Sequence, residues 1–208
     1  RVYAYDLNAK YPQQSASDHE NEEKAEKEEA ILLSTEYAAG GYLLDVLQYA
    51  LLPEHLVRKF FKQMVSGLAA LHNAGIVHGD LGPENILIDS RYTIKIDGFN
   101  PAKHTTHTKK TDTAKGSRCK APELIMNAHA VPDAKCDVFS VGVILFALLS
   151  GYPPFEEATN TDKWYKPLAE SNTDAFWKLH AKLPVAKNEN AKDLLAKMLC
   201  FDAKKRID

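Results

Sequence analysis

The sequence predicts an α+β domain whose larger part is helical, and three observations carry that reading. Short strand-like segments lie at residues 2–5, 31–35, 86–88 and 93–96, and helical patterns dominate the rest. Leu56, Phe60, Met64 and Leu68, flanked by Val57, Phe61 and Val65, repeat every four residues and form a wide apolar stripe, the mark of a long amphipathic helix. Asp137 to Leu149 is apolar all round, which predicts a helix at the centre of a domain. Strands followed by many helices fit one mixed domain.

Residues 1–14 read as a strand and its exit, with Val2, Tyr3 and Tyr5 among polar neighbours. In residues 15–30, seven carboxylates stand against Lys24 and Lys27, a local charge of −5. Such a charge-dense segment without aromatics is expected to be a solvated loop insertion. Ile31 to Thr35 then reads as a short strand, and Gly40-Gly41 allows a tight turn into a helix. The long amphipathic helix is expected to stop at Asn73-Ala74-Gly75, with glycine as its cap. Ile86–Ile88 and Thr93–Ile96, separated by Asp89-Ser90-Arg91-Tyr92, predict a hairpin. Residues 103–118 are polar and threonine-rich and read as a loop. Ala191, Leu194, Leu195, Met198 and Leu199 predict a last packed helix.

Composition excludes several classes. The 208 residues, 45% of them hydrophobic, suffice for one substantial core. A net charge of −2 implies neither a nucleic-acid binder nor a basic membrane-surface protein. Cys119, Cys136 and Cys200 are too few and scattered for a disulfide framework or zinc site, which suggests a reducing, cytoplasmic setting. Val138 to Leu149 is too short to cross a bilayer. The histidines at 19, 72, 104, 107, 129 and 180 show no ligand spacing and are expected to be solvated or packed.

His78-Gly79-Asp80-Leu81-Gly82-Pro83-Glu84-Asn85, leading into Ile86-Leu87-Ile88-Asp89, resembles the H-R-D-L-K-P-E-N catalytic loop of the protein kinases. Five further stretches stand in protein-kinase order. Thr35-Glu36-Tyr37-Ala38 is similar to the gatekeeper and adenine-binding hinge, and Ala121-Pro122-Glu123 matches A-P-E. Asp137-Val138-Phe139-Ser140-Val141-Gly142 resembles the D-V-W-S-L-G start of the central helix. Gly151-Tyr152-Pro153-Pro154-Phe155 resembles G-x-P-P-F, and Lys205-Arg206-Ile207 resembles K-R-I. The last two look like the calmodulin-dependent, Ser/Thr branch.

The resemblance implies a partial small lobe at 1–37 carrying the acidic insertion, and the helical large lobe at 38–208. The large lobe would hold the catalytic loop at 78–85 and the activation segment at 98–123. It further implies ATP and magnesium as cofactors and a protein as substrate or partner. Asp80 would be the catalytic Asp that orients the substrate hydroxyl, and Asn85 a metal ligand. Glu36, Ala38, Glu84 and Leu87 would contact the nucleotide. Three positions would be structural: Glu123 paired with Arg206, Asp137 accepting hydrogen bonds from the catalytic-loop backbone, and His78 packed on Phe99.

Several departures bear on activity. The expected D-F-G reads Gly98-Phe99-Asn100, supported by the lead-in Ile94-Lys95-Ile96, so the carboxylate that would bridge magnesium and phosphates is replaced by glycine. Asp97, one position early, admits two readings. As the pocket-lining neighbour of that motif it approaches a metal; as a strand residue shifted by one it faces away. Gly82 replaces the lysine that neutralises the transferring phosphoryl group, and Gly79 replaces the arginine that grips a phosphorylated activation loop. The threonines at 105, 106, 108, 111 and 113 are accordingly expected to be a polar surface. No glycine-rich loop, strand lysine or partnering glutamate precedes Val2, so the small lobe is expected to be incomplete.

Two function classes follow. One is a Ser/Thr-type kinase whose phosphoryl transfer is impaired or lost; the other is a pseudokinase serving as a protein-binding scaffold. The small-molecule phosphotransferases that share H-G-D-L lack the A-P-E, D-V-x-S-x-G and K-R-I stretches and are set aside.

Overall fold

The ladder between Val2–Lys10 (β1) and Glu29–Thr35 (β2) is antiparallel, with Lys10 opposite Glu29 and Val2 opposite Thr35. The strand expected at Ile31 begins two residues earlier, because Ala30 and Glu29 continue the pairing with Ala9 and Lys10. These elements come from a computed structural model, which describes residues 2–10, 29–49, 51–99, 118–127 and 129–208. Most of the acidic stretch, Asn100 and the threonine-rich stretch lie outside the described residues. The chain divides into two units, Arg1–Ala38 and Ala39–Asp208.

In the second unit, Gly40 and Gly41 turn the chain into Leu43–Tyr49 (α1). The stripe predicted at Leu56 to Leu68 lies on Glu54–Asn73 (α2), which buries Val57, Phe60, Met64 and Leu68. Its end is a Schellman motif. Gly75 N donates to His72 O at 2.9 Å and Ile76 N to Leu71 O at 2.9 Å, satisfying carbonyls that a bare helix end leaves open. The hairpin Ile86–Ile88 (β3) and Ile94–Ile96 (β4) pairs Ile86 with Ile96 and Ile88 with Ile94. Asp89 organises its turn by accepting from Arg91 N and Thr93 N, each at 2.9 Å. The Thr93 hydrogen bond, chiefly, holds the Asp89 carboxyl below the usual carboxylate range.

Pro122–Met126 (α3) is a single helical turn. Ala134–Ser150 (α4) is the central helix, buried on all sides from Phe139 to Phe146. Asp133 caps it, accepting from Lys135 N at 2.9 Å and Cys136 N at 3.2 Å, which starts the helix three residues before the apolar run. Lys166–Ala169 (α5) and Thr173–Leu179 (α6) follow, and the predicted last helix is Glu189–Met198 (α7). One hydrophobic core gathers α2, α4 and α7 with Phe155, Tyr165 and Phe176. The cysteines are free thiols, and burial, followed by the adjacent Asp137, pushes the Cys136 thiol up, away from nucleophilic use. Among the described residues no helix is long and apolar enough to cross a membrane.

Candidate active site

The loop His78–Asn85 joins α2 to β3 and is fixed from below by one carboxylate. Asp137, fully buried at the start of α4, accepts from His78 N at 2.9 Å and Gly79 N at 2.8 Å. These are the backbone hydrogen bonds expected of it. His72 Nε2 supplies a third, at 2.9 Å, so the ring expected to be solvated or packed is part of the loop's support. Three donors account for a buried carboxylate that would otherwise be costly.

His78 is held at both ring nitrogens. Nε2 donates to the Asp97 carbonyl at 2.8 Å, and Nδ1 accepts from Asp80 N at 3.3 Å; the carbonyl only accepts, which fixes the tautomer. The imidazole packs on Phe99 with centroids 5.0 Å apart, the contact expected for the Phe of the D-F-G position. That contact supports the register Gly98-Phe99-Asn100.

Asn85 closes the loop. Its Nδ2 donates to Asp80 O at 2.8 Å, its N to Gly82 O at 2.9 Å, and its carbonyl accepts from Asp97 N at 2.9 Å. The carboxamide also lies against Gly98, where a Cβ would come 2.5 Å from Asn85 Oδ1. Gly98 is held at φ +80°, a conformation that costs most residues about 1–2 kcal/mol. The space through which a carboxylate at 98 would leave the backbone therefore holds the Asn85 side chain. Gly82 repeats the pattern: a Cβ there would overlap the Glu84 carboxylate. A negative group stands over the position where the lysine would rise. Gly79 is at φ +72°, with Pro132 Cβ 3.0 Å from where its Cβ would sit. Asp97 is exposed, and its backbone is tied at both ends, N to Asn85 and O to His78.

Leu87 pairs with Lys95 and forms a bridge to Tyr42. Glu36 and Ala38 end the first unit. Away from the loop, Arg206 and Glu123 form the expected ion pair as a fork, at 2.7 and 3.0 Å. The guanidinium, fully enclosed, also donates to the Lys135 and Cys200 carbonyls and lies 4.9 Å from the Phe139 ring centre.

A family model for the protein kinase domain matches residues 20–208. The chain belongs to the protein kinase family. CBL-interacting serine/threonine-protein kinase 21 of Arabidopsis thaliana is 42% identical over 130 residues, covering 62% of this chain and 31% of that protein. CBL-interacting protein kinase 26 of Oryza sativa subsp. japonica is 33% identical over 181 residues, covering 85% and 35%. Carbon catabolite-derepressing protein kinase of Secale cereale is 35% identical over 181 residues, covering 85% and 34%. The protein kinase domain here thus spans about a third of the length of these relatives, the first of which is named as a serine/threonine-protein kinase.

Kinases of this family use ATP with magnesium, so the donor set can be tested against that group. Magnesium takes octahedral oxygen ligands, with one or two carboxylates beside phosphates and water. Here the bridging position is a glycine facing a carboxamide, so no carboxylate stands at that position. The residues present do not fit the bridging ion.

Proposed function

We propose that this protein kinase domain carries out phosphoryl transfer to protein hydroxyls at a strongly reduced rate, or not at all. One observation carries the reading: Gly98 offers no carboxylate at the bridging position, and the Asn85 carboxamide lies against it. Cation contacts to a transferring phosphoryl group are worth several kcal/mol each. Losing both the metal carboxylate and the loop lysine costs on the order of a thousandfold in rate or more. Asp80 remains positioned by the His78 and Asn85 hydrogen bonds, but positioning without charge neutralisation leaves most of the barrier standing.

Within this reading Glu84 and Leu87 are the nucleotide-contacting positions of the second unit, Glu36 and Ala38 those of the first, and Asp97 does not replace the missing carboxylate. The interactions that hold the fold are kept: the Asp137 grip on the loop, the His78–Phe99 contact and the Arg206–Glu123 fork. That contrast also suits a protein-binding module, which needs the helical surface without the chemistry. Transfer of the ATP γ-phosphate to a generic protein substrate tests the proposal. Turnover at least a thousandfold below the roughly 1–100 s⁻¹ of working kinases is expected. Turnover within that range, lost in Asp80→Ala, would overturn it.

A further inference from the structure

A groove of about 380 Å³ opens on the far part of the second unit, between α6 with its exit and the loop Tyr152–Glu156. Its lining is largely apolar, and Tyr152 and Leu179 stand 67% and 47% exposed at its edges. The floor is built rather than loose. His180, buried, lies 2.9 Å from both Phe176 O through Nδ1 and Pro154 O through Nε2, tying the helix to the loop. The rings of Phe146, Trp164 and Phe176 surround it at 5.0, 5.4 and 4.4 Å.

Lysines outnumber carboxylates in the lining, Lys178 and Lys182 against Glu156. Lys178 and Lys182 line it, and Lys163 lies with Nζ 5.1 Å from the Trp164 ring centre; all three are exposed. Two of the nearby carboxylates are engaged, and Glu157, next to Glu156, is exposed. Glu156 is bound by Arg118 at 2.6 Å, and Asp162 accepts from the backbone N–H groups of Glu156, Glu157, Trp164 and Tyr165 at 2.7 to 3.1 Å. Among the described residues no carboxylate is ion-paired with Lys178 or Lys182. A preformed apolar trough under a lysine rim complements a chain that supplies an apolar anchor between acids.

We propose that this groove docks an acidic peptide segment of a partner protein, with a leucine or aromatic anchor in the trough and flanking carboxylates on Lys178, Lys182 and Lys163. The surface is remote in sequence from the catalytic loop and works whether or not phosphoryl transfer survives. The rim supplies steering and salt dependence, and the trough supplies the grip.

The test uses the whole chain and a synthetic capped peptide, Asp-Glu-Leu-Phe-Asp-Glu, titrated by calorimetry and by tryptophan fluorescence. The chain's two tryptophans are Trp164, in the lining, and Trp177, in the core behind it. Saturable binding is expected, weakening with salt and falling at least tenfold in the Lys178→Glu, Lys182→Glu double variant. Leu179→Asp is expected to weaken it as well, and both variants must keep the parent melting temperature within a few degrees. If the surface charge reversal lowers stability further, Lys178→Gln with Lys182→Gln replaces it, with an expected several-fold loss. Four results would overturn the proposal: no binding at millimolar peptide, equal binding of the Lys-Arg-Leu-Phe-Lys-Arg counterpart, equal binding of anchor-free polyglutamate, or concentration-dependent self-association that the same variants abolish.

Discussion

Replacing Gly98 with alanine isolates what that position tolerates. The backbone at φ +80° penalises any β-carbon by about 1–2 kcal/mol. The new methyl would also lie 2.5 Å from Asn85 Oδ1, so the carboxamide must swing away and release its 2.8 Å hydrogen bond to Asp80 O. A hydrogen bond of this kind is worth roughly 0.5–1.5 kcal/mol net. Together the loss is about 2–3 kcal/mol, and for a domain of this size each kcal/mol lowers Tm by roughly 2–4 °C. Thermal denaturation of Gly98→Ala is therefore expected to show a fall of about 4–12 °C. A double-mutant cycle with Asn85→Ala locates the cause. Asn85→Ala alone loses the hydrogen bond, and the double variant loses it only once, so the combined effect falls short of the sum by roughly 0.5–1.5 kcal/mol. Additive effects within about 0.3 kcal/mol would refute the claim that Asn85 fills the space beside residue 98.

Two further outcomes follow from the same geometry. Glu123→Gln leaves the enclosed Arg206 guanidinium without its countercharge. Breaking a buried pair costs roughly 3–5 kcal/mol, and with Glu123 28% exposed and three carbonyls still bonded to Arg206 the low end, about 3 kcal/mol, is expected in chemical denaturation. A loss under about 1 kcal/mol would contradict the pairing. Asp89, whose folded-state pKa is depressed mainly by the Thr93 N–H, stabilises the hairpin above its unfolded pKa. That contribution is expected to fade as pH falls through its folded-state value, and Asp89→Asn should show a flatter acid limb; identical acid limbs would contradict it.

The long-range skeleton of this fold was legible from residues. The four-residue repeat in α2 and the all-apolar α4 are periodic signals that need no partner to be read, and Gly75 marked the helix end by its conformational preference. The helices α3, α5 and α6 were missed because four to seven residues are too few to show a period. The linking hydrogen bonds of His72 and His180, expected only to be solvated or packed, were not legible for another reason: their partners lie 65 and 26 residues away, and spacing within a segment says nothing about them. The candidate site divides the same way. Aligning the motifs exposed the glycines at 79, 82 and 98, but only coordinates show what fills the vacated space. Asn85 leaning on Gly98 and Glu84 lying over Gly82 are side-chain placements, set by the Asp80 carbonyl and by the tight 3-10 turn Pro83–Asn85. The short hairpin, with its Asx-type turn at Asp89, brings Phe99 onto His78.

The most direct test is ATP-induced stabilisation of the chain measured in excess magnesium and in excess EDTA. With Gly98 at the bridging position, the two curves are expected to coincide. A magnesium-dependent gain approaching about 2.7 kcal/mol at a hundredfold excess over Kd, removed by Asp97→Asn or Asn85→Ala, would show a bound bridging ion and contradict the account.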